Sequence, residues 1–219
     1  MNRRPTLLAA LTLTAAAALT LSACGSDDSS KGKDNDKIAG ADAGDEPSPS
    51  TSPTASDSVD RPKITFPSDA KNVFAYQKTG DKVKDAVLAD STRSVNSVDE
   101  AIFEGSTDTK ALGFYNTGKA LESSIRYVQR YIDDGDTWVG QTRYSNYKIT
   151  LSGDSKAYVT YCSDESKSFI KNRKTGSVDR SPATANAYVL YNTVLTKNAE
   201  SVWQTTNIAS NRGSKACQP

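Results

Sequence analysis

The aromatic residues occupy only part of this chain. Every phenylalanine, tyrosine and tryptophan lies between Phe66 and Trp203. Burial of large apolar side chains offsets the entropy that a chain loses on folding, so the hydrophobic core must come from this part alone. Its length is a common size for a single domain. The sequence therefore predicts one domain, residues 63–219.

The segment before this domain lacks the residues that build a core. Residues 24–62 contain no aromatic side chain and only two large aliphatic ones, Ile38 and Val59. Their centre, residues 47–54, is a low-complexity run of Pro, Ser and Thr. Such a composition cannot bury enough apolar surface to become ordered. We expect a flexible, disordered tether here.

The N-terminus has the pattern of an export signal. Arg3 and Arg4 precede an uncharged run of Leu, Ala and Thr that ends at Ala23, which is typical of a secretory signal peptide. The run Leu-Ser-Ala-Cys, residues 21–24, resembles the lipobox of bacterial lipoproteins, in which the cysteine receives a diacylglyceryl group and a peptidase cuts just before it. The resemblance implies a signal peptide over residues 1–23, a lipid on Cys24 and a place on the outer face of the cell membrane. The alternatives are a transmembrane anchor, for which the run is near the lower length limit, and an ordinary secretory signal.

Two cysteines remain if Cys24 carries a lipid. Outside the cytoplasm, Cys162 and Cys217 would normally form a disulfide. Such a bond would fasten a C-terminal tail that contains almost nothing apolar and would otherwise fray. The alternative is two free thiols, one in a strand and one on the tail.

Helical spacing precedes strand spacing within the domain. Apolar residues recur at steps of three and four, and Gly105 offers a stop signal, which predicts helices over residues 81–103, 108–115 and 119–132. Alternating apolar residues then predict strands over residues 147–151, 157–161, 187–195 and 202–208, with a loop over residues 164–184. This order predicts an α+β domain in which helices pack on a four-stranded antiparallel sheet.

The order of elements, together with the final strand that contains Val202-Trp203-Gln204, resembles the nuclear transport factor 2-like cone fold. More narrowly, residues 158–166 (Tyr-Val-Thr-Tyr-Cys-Ser-Asp-Glu-Ser), the run Arg-Lys-Thr-Gly at 173–176 and Cys217 resemble secreted actinobacterial lipoproteins with that domain. The resemblance implies helices on a curved sheet with a pocket between them. Members of the superfamily include enzymes, transport adaptors and modules of surface complexes.

The residues narrow the chemistry that the domain can perform. The chain has no histidine, which excludes Ser-His-Asp and Cys-His catalysis and histidine metal sites. It has no phosphate loop and no dinucleotide fingerprint, so we expect no cofactor and no metal. The domain has only a small excess of basic residues, so we expect no nucleic-acid partner.

Cone-fold enzymes such as ketosteroid isomerase use an aspartate base beside tyrosine or protonated aspartate donors in the pocket. No position here matches that pattern well enough to receive a catalytic role. The candidate pocket residues are Tyr115, Tyr127, Tyr161, Asp164, Tyr191 and Trp203; further candidate donors are Tyr131, Tyr144 and Tyr147, and a further candidate base is Asp90. The alternative is that the tyrosines fill the core and that Asp164 ends a strand.

These observations favour a lipid-anchored surface module that binds a small ligand or an envelope protein without catalysis. The alternatives are a pocket enzyme of the isomerase or dehydratase type and an accessory subunit of an envelope complex. A buried carboxylate with a raised pKa beside a tyrosine would favour the enzyme, and an uncharged pocket would favour binding. A basic stretch in the predicted loop either contacts an acidic partner or is solvated; its members are Lys167, Lys171, Arg173, Lys174 and Arg180.

Overall fold

The computed structural model describes residues 59–219 of the chain. The predicted signal peptide, the predicted lipidation site at Cys24 and the tether up to residue 58 lie outside the described residues. Within residues 59–219, none of the helices is both long enough and apolar enough to cross a membrane.

One strand precedes three helices, and four strands follow them. The elements are β1 (Ala70–Phe74), α1 (Lys82–Glu104), α2 (Lys110–Tyr115), α3 (Gly118–Asp134), β2 (Asp136–Ser152), β3 (Lys156–Asn172), β4 (Tyr188–Lys197) and β5 (Trp203–Arg212). The strands form one sheet in the order of the sequence, with β1 parallel to β2 and the other neighbours antiparallel. The α+β class is confirmed.

The predicted count of four antiparallel strands is wrong, because the sheet has five strands and is mixed. The missed strand, β1, has only five residues, and its sequence AKNVF does not alternate between apolar and polar positions. Its backbone pairs with β2 from Ala70 opposite Gly140 to Phe74 opposite Tyr144. Pairing with a neighbouring strand, rather than a pattern of its own, therefore makes this segment a strand.

The helices end where the sequence indicates. The Asp81 side chain accepts hydrogen bonds from the backbone N–H of Val83 at 2.8 Å and of Lys84 at 3.2 Å, which caps the start of α1. Gly105 and Gly135 follow α1 and α3 with φ of 66° and 70°. Glycine adopts this left-handed conformation without a steric cost, which explains why both helices stop there.

Strands β2 and β3 are much longer than predicted, with 17 residues each. The predicted loop over residues 164–184 is therefore wrong in its first part, because β3 continues to Asn172. Two irregularities in the pairing, between Gln141 and Arg143 and between Ser145 and Lys148, break the alternation of β2. Such bulges add a residue to one strand and bend it, and they hide the period of two from sequence analysis.

Gly140 lies beside the first irregularity. Its φ is 98°, and a Cβ atom at this position would collide with the carbonyl oxygen of Lys167 on β3. Only glycine fits such a close approach of two backbones at positive φ.

The helices pack on one face of the sheet and form two main groups of buried side chains with it. The first group surrounds Trp203 and includes Val87, Tyr144, Ala157, Val159, Tyr161 and Leu195. The second surrounds Trp138 and includes Ala70, Ala101, Ile102, Leu112 and Val128. Both groups contain residues of α1, so this helix is the central element of the core.

Asp90 on α1 joins three parts of the domain and is not available as a base. Its side chain is 1% exposed, and its oxygens accept hydrogen bonds from Arg61 at 2.7 Å, Arg93 at 3.0 Å and the Trp203 backbone N–H at 2.9 Å. A buried carboxylate with such partners ties the segment before β1 and the start of β5 to the helix. The sequence-based assignment of Asp90 as a candidate base is therefore wrong.

The basic residues of the predicted loop contact the domain itself. Arg173 donates to two backbone carbonyl oxygens at the C-terminal end of α1, those of Ile102 and of Phe103 at 3.0 Å. It also donates to the carbonyl oxygen of Asp136, at the start of β2, at 2.8 Å. Lys171 pairs with Asp69 at 3.0 Å, and the Arg180 guanidinium lies 5.1 Å from the centre of the Phe169 ring. A cation at a helix C-terminus satisfies unpaired carbonyl groups, so Arg173 has a structural role.

Cys162 and Cys217 lie at disulfide distance, as the sequence predicts. Their Cα atoms are 5.5 Å apart and their sulfur atoms are bonded. Cys162 is in the middle of β3, and Cys217 is in the tail that follows β5. The bond therefore fastens this tail to the centre of the sheet.

Candidate functional site

A cavity of about 420 Å³ lies between helices α1 and α3 and strands β2 to β5; we call it the central pocket. Pockets of this size are typical sites for small ligands. Six aromatic residues line it: Tyr127, Tyr131, Trp138, Tyr144, Tyr161 and Tyr191. Four charged residues line it as well: Asp99, Arg130, Glu165 and Arg212. The pocket therefore combines aromatic walls with a few charged groups.

The structure brings three of the six candidate pocket residues together. Tyr127, Tyr161 and Tyr191 line the central pocket. Tyr115 and Trp203 do not line it, because both are almost fully buried in the core. Tyr115 packs against Ala111 and Val202, and Trp203 packs against residues of β3 and β4. Bulky aromatic side chains at these positions fill the space between helices and sheet, which is the alternative that the sequence leaves open.

Asp164 also lies away from the central pocket. Side chains alternate along a strand, and β3 pairs regularly with β4 from Tyr161 to Asp164, so Asp164 is on the face opposite to Tyr161. It lies opposite Arg143 of β2, and its side chain accepts a hydrogen bond from the Ser166 backbone N–H at 2.9 Å. Asp164 neither ends a strand nor reaches the pocket, because β3 continues for eight further residues to Asn172.

Stacked tyrosines form one wall of the pocket. The Tyr161 ring lies between the rings of Tyr147 and Tyr191, with centroids 5.1 Å apart on each side and nearly parallel planes. The Tyr144 ring meets Tyr161 edge to face at 6.0 Å. Aromatic packing of this kind holds side chains in fixed orientations. The wall is therefore preorganised.

Asp99 of α1 supplies an unusual carboxylate to the pocket. Its Oδ2 accepts a hydrogen bond from Asn72 at 2.7 Å, and its Oδ1 accepts one from the Trp138 indole N–H at 3.2 Å. Neither donor is charged, and no salt bridge within residues 59–219 involves Asp99. Burial raises the pKa of Asp99 to about 7, the negative charge of Glu165 also raises it, and the two hydrogen bonds lower it.

The other charged groups of the pocket have partners. Arg212 donates to Glu165, with an Nη1–Oε2 distance of 2.6 Å, and to the carbonyl oxygen of Asn186 at 2.8 Å. The Arg130 guanidinium lies 5.6 Å from the centre of the Tyr127 ring. These residues also line a second cavity of about 600 Å³, whose lining includes Ser181, Ala183, Thr184, Asn186 and Ala187 but not Asp99. The paired charges therefore lie towards the second cavity, and Asp99 lies away from it, at the end of the central pocket that we call the inner end.

The tyrosine hydroxyls of the pocket are neutral hydrogen-bond donors. Burial raises the pKa of Tyr127, Tyr144 and Tyr161 well above the ordinary value for tyrosine. Tyr127 and Tyr131 share a hydrogen bond of 3.4 Å between their hydroxyls. In the part of the chain that the structure describes, the hydroxyls of Tyr144 and Tyr161 make no hydrogen bond. They can therefore donate to a bound molecule.

The pocket contains no arrangement that suits a metal ion. Among residues 59–219, no group of three or more Cys, Asp or Glu side chains could hold one. The chain has no histidine to add to such a group.

The candidates named from the sequence include tyrosines of the pocket but not Asp99, Glu165 or Trp138. A signal was available, because Val95, Asp99 and Ile102 follow each other at steps of four and three on the inward stripe of α1. A charged residue inside an apolar helical stripe indicates either a buried pair or a site. Glu165 and Trp138 were missed for a different reason, since the long strands that contain them were predicted as loop or left unassigned.

No protein-family model and no curated protein sequence matches this chain. Several solved structures resemble it. A ketosteroid isomerase-like protein from Erwinia carotovora atroseptica is 14% identical, the match covers 62% of this chain and 98% of that one, and the TM-score is 0.43. A ketosteroid isomerase-like protein from Shewanella frigidimarina is 12% identical over 59% of this chain and 98% of that one, with a TM-score of 0.33. An NTF-2-like protein of unknown function from Shewanella oneidensis is 12% identical over 56% of this chain and 97% of that one, with a TM-score of 0.35.

Proposed function

We propose that this chain is an exported lipoprotein, held to the outer face of a cell membrane by a lipid on Cys24. Its domain, residues 63–219, is a nuclear transport factor 2-like module that binds a small ligand in the central pocket. The lipobox-like run at residues 21–24 supports the anchor. The helices on one face of the sheet and the cavity beneath them support the module.

One observation carries the binding proposal: the central pocket contains polar groups that the protein itself leaves without suitable partners. Asp99 has no cationic partner within the described range, and Tyr144 and Tyr161 make no hydrogen bond there. A bound ligand with complementary groups can accept from these two hydroxyls and can bring the charge that Asp99 lacks.

The pocket is tested with a small neutral probe, 4-tert-butylphenol, which has an apolar body and one hydroxyl. Ser168 lines the pocket and lies opposite Gly140, which has no side chain. We expect Ser168→Trp to fill this space and weaken probe binding by at least about tenfold, or about 1.4 kcal/mol. Binding is measured by the NMR shift of the Trp138 indole N–H.

The matched control is Thr160→Trp, which places the same side chain on the opposite face of β3. This variant should bind the probe like the wild type. If the wild type binds 4-tert-butylphenol at millimolar concentration and Ser168→Trp folds and binds it unchanged, the binding proposal is wrong.

The anchor is tested by Cys24→Ala. Because only the cysteine thiol can receive the lipid, we expect the variant to leave the membrane fraction or to retain its signal peptide. Cell fractionation and the mass of the protein measure both results. Cys217→Ala, which removes a cysteine of the domain, should stay with membranes. A Cys24→Ala protein that is processed and fractionates like the wild type would contradict the anchor.

A second candidate function is proton transfer, as in an isomerase of the pocket type. The observation that favours it is that Asp99, whose pKa is raised to about 7, lies beside tyrosines in a pocket that also contains other charged residues, which is the arrangement expected of an enzyme. A general base works best when its pKa is near the operating pH. The carboxylate would take a proton from a carbon beside a ketone and return it elsewhere on the substrate. Conversion of 3-cyclohexenone to its conjugated isomer, lost in Asp99→Asn, would favour catalysis over binding alone.

A further inference from the structure

The inner end of the central pocket contains one negative charge that no cation of the protein balances. The two oxygens of Asp99 receive hydrogen bonds from Asn72 and Trp138, which are both neutral. The second carboxylate of the pocket, Glu165, is already paired with Arg212. Asp99 is partly buried, at the wall of the pocket. A charge withdrawn from water without a counter-charge is unfavourable, and a ligand that brings the opposite charge reduces this cost.

Aromatic rings surround this carboxylate. The indole N–H of Trp138 donates a hydrogen bond to Asp99. Tyr144 also lies near this carboxylate: burial raises the pKa of the Tyr144 hydroxyl most, and the charge of Asp99 is the next largest cause. Tyr161 and Tyr191 continue the wall as a stacked pair with centroids 5.1 Å apart. The faces of such rings attract cations, most strongly where water is excluded.

We propose that the central pocket binds a small organic cation, an ammonium or quaternary ammonium group on an apolar body, with its charge between Asp99 and the aromatic wall. This inference rests on the proposed binding function and names its ligand class. An anionic ligand at this end of the pocket would meet the repulsion of Asp99. A neutral ligand would leave the charge of Asp99 unbalanced.

The positions of the two arginines in the pocket lining fit this assignment. Arg130 and Arg212 are the two cations of the lining, and both also line the second cavity, which Asp99 does not reach. Arg212 is held by Glu165 and by the carbonyl oxygen of Asn186, and Arg130 lies over the Tyr127 ring. Neither arginine therefore neutralises Asp99, and the ligand is left to do so.

Every element around Asp99 contributes side chains, and these decide the pH dependence of binding. The titratable and charged groups that line the pocket with Asp99 come from five elements besides α1 and β1: Tyr127, Arg130 and Tyr131 of α3, Tyr144 of β2, Tyr161 and Glu165 of β3, and, from the last two strands, Tyr191 of β4 and Arg212 of β5. Strand β1 contributes the neutral side chain of Asn72, which donates to Asp99. The tyrosines stay neutral because burial raises their pKa, and Glu165 is paired with Arg212. Asp99, whose pKa is raised to about 7, is therefore the group that changes charge near neutral pH.

The experiment compares two probes of the same shape. Phenyltrimethylammonium carries a permanent charge at every pH, and tert-butylbenzene is its neutral counterpart. The protein is the mature chain, residues 24–219, with Cys24→Ser to keep it soluble. Binding of each probe is measured at pH 5 and pH 8 through the NMR signal of the Trp138 indole N–H. The same measurements are made on Asp99→Asn and, as a matched carboxylate control outside the pocket, on Asp164→Asn.

We expect the cation to bind at least about tenfold more tightly than its neutral counterpart at pH 8. Its affinity should fall by about tenfold or more at pH 5, because Asp99 is then protonated in the free protein. Asp99→Asn should reduce the preference to what the aromatic wall alone provides and should remove the pH dependence, while tert-butylbenzene still binds. Asp164→Asn should behave like the wild type.

Equal binding of the two probes would overturn the ligand class, and a preference for the cation that Asp99→Asn leaves undiminished would overturn the role of Asp99 in binding its charge. The binding function would still stand if Ser168→Trp weakens 4-tert-butylphenol binding. If neither of the two probes nor the phenol binds, both the ligand class and the binding function are wrong.

Discussion

Replacing Cys162 and Cys217 together by alanine should lower the free energy of unfolding by about 4 kcal/mol. The disulfide closes a loop with a sequence separation of 55 residues, and restricting such a loop in the unfolded chain is worth about that much. A typical domain has only about 5–15 kcal/mol of stability in total. Urea unfolding of the mature chain with and without the two substitutions measures the difference.

The control is Cys24→Ala, which removes a cysteine outside the domain and should leave the unfolding midpoint unchanged. Reduction of the wild-type protein with dithiothreitol should reproduce the effect of the double substitution. An unfolding midpoint that responds to neither treatment would show that the bond does not stabilise the domain, and two free thiols in the purified protein would show that it does not form.

Asp99→Asn should make the domain more stable at alkaline pH than the wild type, by an amount that grows between about pH 4 and pH 7 and then stays constant. Burial raises the pKa of Asp99 to about 7 in the folded protein, whereas an unfolded chain has an ordinary aspartate pKa of about 4. The difference in unfolding free energy between the variant and the wild type should therefore be larger at pH 8 than at pH 4, by an amount on the order of 3 kcal/mol.

The sign follows from where the proton is bound. Below about pH 4, Asp99 carries a proton in both states, and its ionisation does not affect folding. Between about pH 4 and pH 7 the folded state keeps a proton that the unfolded state has released, so the wild type loses stability as pH rises. Asparagine does not titrate, and the variant escapes this loss. The control is Asp164→Asn on the opposite face of β3; an equal gain in that variant, or no gain in Asp99→Asn, would contradict the burial of an unpaired carboxylate.

The sequence contained enough information for the helices and less for the sheet. Helix α1 could be predicted because its apolar stripe has helical spacing and because Asp81 and Gly105 mark its ends by local geometry. Strand β1 could not, since it is a strand only through its pairing with β2. The true length of β2 and β3 was hidden by two bulges and by polar side chains on the uncovered face.

The pocket could be predicted only in part, for a related reason. Tyrosines on strands are common both in a core and around a cavity, and the sequence alone does not separate Tyr161, which lines the pocket, from Tyr115, which does not. The decisive group, Asp99, depends on contacts between α1, β1 and β2 that are remote in sequence. The helical spacing of α1 does not single it out, because Asp90 and Glu100 are charged residues that are more deeply buried on the same helix.

The central claim is that the pocket presents to its ligand a carboxylate that the protein leaves without a counter-charge. The most direct test is a pH titration of the Asp99 side-chain carboxyl carbon by NMR in the mature chain, with Asp99→Asn used to assign the signal. We expect a midpoint at about pH 7, and a lower midpoint when phenyltrimethylammonium is bound, because the cation favours the ionised form. A midpoint near the ordinary value of about 4 would contradict the claim, because it would mean that Asp99 is solvated or balanced by another charge.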